Sequence, residues 1–516
     1  VRLRRAGVGA VATGMLLAVI GLSPGFTTHA SAAAVCTGGT NSDFNGDGVR
    51  DIAIADPEAT VNGVAQAGLV RVVLGGGDGV QEISQASPGM NAAPEKGDEF
   101  GRAIAAGDFD KDGCTDLAVG VPQEDILKDG VNLVDAGAVY IIHGSPTGLT
   151  STIDGFSQAG FLSTNTNEAY DFFGWSLAAG TSSSGDPYLV IGSPGEDVVS
   201  NGVTYKDAGC IQYMIGSTRV TVDQDDPGVL GAVEENDQFG YSVAATNQYF
   251  AVGAPGEASG TVEFAGGVTV FKHTLTDGRP TFLTGVTQDS DGMSGTAEAG
   301  DEFGTSVAMT GLRPSTATSN TDALLAIGTP GEDGTTLQDV GMAAVLRIQP
   351  DGTRSEIYTV SQNTTGVDGD QVAGDHFGER VSLANTDTSV VTTAATAKLA
   401  VSIPGADVGS AMDAGAVQVF SALGVPGDTD QLITRGDGYL PGTAKAREYV
   451  GMGLASTATD LYIGLPYTKG DDETTGIAVA LPWSDLASGT KGTAKTYRPG
   501  NDGLPAADAA FGAVIR

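Results

Sequence analysis

Two short stretches of this chain carry acids at a spacing that suits metal chemistry. They are Asp43-Phe44-Asn45-Gly46-Asp47-Gly48-Val49-Arg50-Asp51 and Asp108-Phe109-Asp110-Lys111-Asp112-Gly113-Cys114-Thr115-Asp116. Each sets oxygen-bearing side chains at positions 1, 3, 5 and 9 and a glycine at position 6. A hard cation such as Ca²⁺ takes about six to eight oxygens at roughly 2.3–2.6 Å, and these side chains converge if the backbone coils tightly around the ion. The glycine permits that coil, and position 7, Val49 or Cys114, is placed to offer its backbone carbonyl. An EF-hand would need a Glu at position 12 and a following helix. Position 12 is Ile54 or Val119, inside an apolar run, so a strand–loop–strand site is expected. A single copy would read equally well as an Asx-type turn. Two copies at the same place in a repeat point to two Ca²⁺ sites of structural purpose, with Mg²⁺ less suited to such a cage.

The elements that position these loops form a unit that recurs. Phe-Gly or its relic occurs at Phe100-Gly101, Phe173-Gly174, Phe239-Gly240, Phe303-Gly304, Phe377-Gly378, Val450-Gly451 and Phe511-Gly512, spaced by about 60 to about 75 residues. An apolar run ending in Pro follows, as in Leu117–Pro122, Leu189–Pro194 and Leu399–Pro404. Next comes a small-Gly pair opening a β-rich run, as in Ala67-Gly68, Ala136-Gly137 and Ala414-Gly415. Gln closes most units, at Gln85, Gln158, Gln224, Gln288 and Gln362. Four short runs per unit, separated by Gly, Pro and Asp turns, predict four-stranded antiparallel blades. The first unit starts at Asp43 with no Phe-Gly strand, whereas Phe511–Arg516 is a Phe-Gly strand with no unit. The C-terminal strand is therefore expected to complete the N-terminal blade and leave no open edge.

These residues resemble the FG-GAP repeat of the integrin α-subunit N-terminal propeller and of secreted bacterial proteins. The resemblance covers nearly all of residues 43–516 and rests on Phe-Gly, on the Gly-x-Pro segments such as Gly120-Val121-Pro122 and Gly253-Ala254-Pro255, and on the acidic loop between them. It implies an all-β, seven-bladed β-propeller. Five blades depart from a fully metal-loaded array: Thr181–Pro187, Thr246–Tyr249, Arg313–Asp322, Asn385–Thr396 and Thr457–Asp460 lack the full acid set.

Residues 1–34 read as a secretory signal peptide, with Arg2, Arg4 and Arg5 before the apolar stretch Gly7–Leu22 and small-residue cleavage sites at Ala30–Ala34. Residues 35–516 would then be one secreted propeller domain, not inserted in a membrane after cleavage and expected to be a monomer. Val1 suits a bacterial gene with a non-standard start codon. Cys36 and Cys114 lie beside the acidic loops of neighbouring repeats and are expected to pair. Cys210 lies in the apolar run Cys210–Met214 and reads as a buried thiol. A formal net charge of −37 repels phosphate backbones and excludes nucleic acid as a partner.

Several motifs carry less than they suggest. Arg435-Gly436-Asp437 is the tripeptide that integrins bind, but Arg435 falls where other units place Gln, so it reads as repeat drift. Ser176, Ser242 and Ser306 recur at equivalent strand positions and lack the second glycine of a hydrolase elbow. His143, His273 and His376 sit in different repeat contexts, and no catalytic constellation emerges. The face opposite the acidic loops carries Glu124-Asp125, Glu196-Asp197, Glu332-Asp333, Asp407, Asp471-Asp472 and the recurring Asp98, Asp171, Asp237, Asp301 and Asp375. These acids either cap turns or form a rim for a cationic or hydroxyl-rich ligand. The function expected is a calcium-stabilised binding or adhesion scaffold for an extracellular protein or glycan. The alternative is a secreted polysaccharide lyase or esterase with its active site on a propeller face.

Overall fold

The computed structural model describes residues 36, 42–77, 79–469, 475–501, 503–506 and 509–516. The segment read as a signal peptide lies outside them, as do Asp471 and Asp472. The described residues form seven four-stranded antiparallel sheets arranged as a seven-bladed β-propeller. The innermost strands are Ala103–Gly107, Ser176–Thr181, Ser242–Ala245, Ser306–Leu312, Val381–Asn385, Gly453–Ser456 and Val514–Ile515. Each touches the next in that order, and Val514–Ile515 touches Ala103–Gly107 as well. Val514–Ile515 pairs with Ile52–Asp56 through Ile54↔Ile515 and Ala55↔Val514, so both ends of the described chain share the first blade.

The three sequence markers meet at each blade interface. The Phe of Phe-Gly is fully buried at all six positions that keep it. Its backbone N–H donates to the small residue of the preceding blade, as from Phe100 to Ala67 (3.0 Å) and from Phe239 to Ala208 (2.9 Å). The glycine after that small residue has no room for a side chain: a Cβ on Gly68 would lie 2.2 Å from the Phe100 nitrogen. The Gly of Gly-x-Pro is equally tight, since a Cβ on Gly120 would lie 2.0 Å from the Gly174 oxygen of the next blade. The backbones of adjacent blades thus touch directly, with Phe rings filling the wedges between sheets. Blades two and three also carry two-stranded hairpins, Ile126–Lys128 with Val131–Leu133 and Val198–Ser200 with Val203–Tyr205, which the four-run pattern did not predict.

Candidate metal loops and channel mouth

The two acidic loops fold in the same way. Asp43 accepts the N–H groups of Asp47 (3.1 Å) and Gly48 (2.8 Å), and Asp108 accepts those of Asp112 and Gly113 (both 3.1 Å). Asp47 and Asp112 accept the N–H two residues on, from Val49 and Cys114 (both 2.7 Å). Asp51 and Asp116 are buried at the base, where each accepts two backbone N–H groups: Phe44 and Gly75 for Asp51, Phe109 and Gly144 for Asp116. These bonds coil the chain as the spacing requires, and each carboxylate oxygen retains a lone pair for a further partner. In the second loop one oxygen each of Asp108, Asp110 and Asp112 lie within 4.8 Å of one another.

The crowding is electrostatically costly. Burial, followed by the nearby Asp43 and Asp47 charges, raises the pKa of Asp51. Burial likewise raises Asp108, with Asp110 and Asp112 adding to it, and carries Asp116 to about 6 despite its backbone hydrogen bonds. His143 was not singled out by the sequence, yet it stands over the second loop. Its Nδ1 is 3.4 Å from Asp116 and 3.5 Å from Asp110, and its Nε2 is 3.1 Å from Asp154. Burial opposes a charge on this ring, but the hydrogen bond to Asp154 and the charges of Asp116 and Asp110 raise its pKa overall. An all-oxygen, anionic, backbone-organised donor set of this kind fits a hard cation.

A backbone bond ties the two loops together, from Thr115 to Asp43 (3.0 Å), and Ser145, beyond the third strand of the second blade, donates to Phe44 of the first loop (3.2 Å). A disulfide joins Cys36 to Cys114 with Cα atoms 5.1 Å apart, and Cys210 is a buried free thiol. The bond spans 78 residues, which by loop-closure entropy corresponds to about 4.5 kcal/mol of stabilisation. Reduction with dithiothreitol is expected to lower the melting temperature of the native chain and leave that of Cys36→Ser unchanged. Equal responses of the two chains would contradict this.

The acids on the other face do not form a rim. Asp98, Asp171, Asp237, Asp301 and Asp375 are buried and accept backbone N–H groups three residues upstream, from Glu95, Glu168, Glu234, Glu298 and Val372. Asp125, Asp197, Asp333 and Asp407 accept the N–H groups of Asp135, Asp207, Asp339 and Asp413 at 2.9–3.1 Å. In four units the closing Gln reaches across to a Glu after the next x-x-Pro segment: Gln85 to Glu124, Gln158 to Glu196 (2.6 Å), Gln224 to Glu257 and Gln288 to Glu332 (2.8 Å). Each of these Glu faces the buried Asp of its own unit. Burial first, and that Asp second, push Glu124, Glu196 and Glu257 up to about 8 and Glu332 to about 7. Arg435 occupies the Gln place in a sixth copy. It is buried and ion-paired with Glu448, which replaces the Asp, so the arginine of the Arg-Gly-Asp tripeptide is held within the fold and is not displayed. Ser176 and Ser242 donate to the Gly240 and Gly304 carbonyls (both 2.7 Å), which accounts for their recurrence.

The channel is open at this face in a cavity of about 300 Å³. The residues just after Phe-Gly line it, and they vary where the rest of the motif is constant: Arg102, Trp175, Tyr241, Thr305, Met452 and Ala513. The Arg102 guanidinium lies 4.8 Å from the Trp175 ring centroid, and Trp175 packs on Tyr241 at 5.4 Å. Arg380, Glu58 and Tyr467 complete the rim, the last two joined by a 2.8 Å hydrogen bond. Sequence reading missed this site, although variation inside a repeated motif was its signal.

Two family models match the chain, an FG-GAP repeat over residues 100–142 and an FG-GAP-like repeat over residues 43–119. The Bos taurus phosphatidylinositol-glycan-specific phospholipase D is 32% identical over 160 residues, 30% of this chain and 18% of that protein. Xenopus laevis integrin alpha-4 is 34% identical over 127 residues, 24% of this chain and 10% of that protein. The matched part is thus less than a fifth of the length of these relatives. Among solved structures, the Pseudomonas aeruginosa periplasmic gluconolactonase PpgL aligns with 89% of this chain and 98% of its own, at 13% identity and a TM-score of 0.39, too distant a likeness to bear on function.

Proposed function

The chain is an FG-GAP repeat protein with an integrin-α-like propeller fold, and from that premise we propose that it is a secreted, calcium-stabilised scaffold that binds an extracellular protein or glycan without turning it over. The observation that carries the reading is the channel mouth. Trp175 and Tyr241, in tilted contact, offer flat apolar faces, while Arg102, Arg380 and Glu58 offer directional polar contacts, a combination suited to a sugar ring or a protruding peptide side chain. Ca²⁺ would be held by Asp43, Asn45, Asp47 and Asp51 with the Val49 carbonyl, and by Asp108, Asp110, Asp112 and Asp116 with the Cys114 carbonyl. Bound there, it would neutralise the crowded carboxylates and stiffen the first two blades. The Cys36–Cys114 disulfide supports an oxidising, extracytoplasmic compartment. Among the described residues, no helix is long and apolar enough to cross a membrane.

A glycan and peptide array probed with the Ca²⁺-loaded protein tests the assignment. Trp175→Ala is expected to weaken any hit by at least about tenfold, as loss of a central aromatic anchor does, with the melting temperature nearly unchanged. Hits that survive both Trp175→Ala and Arg102→Ala would place binding elsewhere. Release of product from a bound polysaccharide would overturn the non-catalytic reading.

A further inference from the structure

The two acidic loops differ in the residue that stands over them. Gly75 and Gly144 donate equivalent N–H groups to Asp51 and Asp116, so the residues before them, Leu74 and His143, hold the same place in blades one and two. Leu74 is buried in the hydrophobic core. His143 follows the strand Ala138–Ile142, and its ring is turned onto the second loop. Its backbone is fixed by the chain that returns beside it, donating to Thr152 (3.1 Å) and accepting from Thr150 (2.8 Å). Only 12% of its side chain is exposed. Nε2 lies 3.1 Å from Asp154 Oδ2. A carboxylate can only accept, so Nε2 carries the proton and, in the neutral ring, Nδ1 presents a lone pair. Nδ1 is buried and makes no hydrogen bond among the described residues, although Asp116 Oδ1 is 3.4 Å away and Asp110 Oδ2 3.5 Å. Asp110 divides its two oxygens: Oδ1 accepts the Asp112 N–H (3.1 Å) on the loop side, and Oδ2 faces the ring.

We propose that His143 Nδ1, Asp110 Oδ2 and Asp116 Oδ1 form a separate, mixed nitrogen–oxygen site that takes a borderline transition ion, Zn²⁺ above all. Donors held about 2.1 Å from a tetrahedral ion lie about 3.4 Å apart, which matches the two separations around Nδ1. Spacing alone would also admit Ca²⁺, and the nitrogen decides against it. Ca²⁺ takes oxygen ligands, whereas imidazole suits zinc, copper and nickel. Asp154 completes the arrangement, since a carboxylate on the far ring nitrogen is the usual support of a zinc-bound histidine. Three protein ligands leave a fourth position to water. The ion would lie beside the second calcium loop and share Asp110 and Asp116 with it. The first loop, with Leu74 in the equivalent place, offers no such nitrogen. Zn²⁺ binding here does not require Ca²⁺ in the loop.

The chain is freed of metal with EDTA, dialysed without reductant so that Cys36 and Cys114 stay paired, and titrated with Zn²⁺ by calorimetry. One tight Zn²⁺ per chain is expected, with a matching rise in melting temperature. His143→Leu copies the first loop. It should fold, as its melt in EDTA will show, and should weaken Zn²⁺ binding by at least about tenfold, no less than the loss of an outer partner costs. Asp154→Ala removes only that outer partner, a side chain 68% exposed, and should weaken Zn²⁺ by about tenfold or more. Co²⁺ in place of Zn²⁺ should give the strong visible absorption of a four-coordinate ion in the native chain and not in His143→Leu. The Ca²⁺-dependent rise in melting temperature should survive His143→Leu. A native chain that binds one Zn²⁺ but ignores Ca²⁺ would remove the calcium reading and leave the zinc site standing. Zn²⁺ affinity unchanged in His143→Leu would put the ion elsewhere on an acidic surface and overturn the proposal. So would absence of Zn²⁺ binding by the native chain, or binding that never saturates. Should His143→Leu not fold, Asp154→Ala decides alone.

Discussion

A chain shortened by Phe511–Arg516 is expected to melt more than about 10 °C lower and to aggregate on warming. Phe511 is fully buried and Ile515 nearly so, and loss of a buried Phe alone costs about 3–5 kcal/mol. The backbone bonds Arg516 to Ala53 (2.9 Å), Ala53 to Arg516 (2.9 Å) and Gly512 to Ala55 (3.1 Å) would go with it. The Ala510 N–H bond to buried Asp56, at 2.8 Å, would lose the strand that anchors it. Each kcal/mol lowers the melting temperature of a domain this large by at most about 2–4 °C, and several are lost together. The strand Ile52–Asp56 would also become an open apolar edge, available to another chain. Removing the exposed hairpin tip at Lys128–Val131 should change the melt little. If the shortened chain melted like the native one, the pairing of the two chain ends would contribute nothing to the fold.

Between pH 6.5 and pH 9 the protein is expected to lose several kcal/mol of stability, the reverse of ordinary acid denaturation. The Glu at four blade interfaces, buried at Glu124 and Glu257 and half-buried at Glu196 and Glu332, have folded pKa values of about 7 to 8, far above the usual Glu range. The folded state therefore holds protons that the unfolded chain releases, and stability falls as pH rises from the ordinary Glu range through the folded value, then levels off. One pKa unit corresponds to about 1.4 kcal/mol. His143, raised in the fold, changes stability in the same direction. His273 is buried neutral with a pKa of about 4, so it withdraws stability only as pH falls below the unfolded His value. The window above pH 6.5 excludes His273 and is dominated by the carboxyl pairs, with His143 adding to the same slope. Chemical denaturation at saturating Ca²⁺ should show a negative slope of stability against pH, shallower by up to one proton in Glu124→Gln and again in Glu196→Gln. A flat profile in the native chain would mean that the pairs ionise freely and are not the proton sites described.

Repetition made the architecture legible. A Phe whose N–H must reach a small residue of the previous blade recurs with that residue, so its spacing reports the blade even where Val450 has replaced it. The acidic loops were legible for a similar reason, because position, glycine and acid recur together. What stayed hidden lies between units. Gln85 and Glu124 are 39 residues apart and Gln288 and Glu332 are 44, so neither run of sequence shows that the two meet. The recurring acids read either as turn caps or as a charged rim, and the structure buries them on turn backbones, as their recurrence favoured. His143 follows an ordinary strand and gains meaning only from the loop that it overlies. The channel mouth was hidden because its residues break the repeat instead of keeping it.

The most direct test is a thermal melt with excess EDTA and again with added Ca²⁺, for the native chain and for Asp47→Ala/Asp112→Ala. The acidic loops account predicts a Ca²⁺-dependent rise for the native chain that grows with the logarithm of Ca²⁺ concentration and is lost in the double variant. Four coincident melts would contradict it and leave Asp43–Asp51 and Asp108–Asp116 as hydrogen-bonded turns.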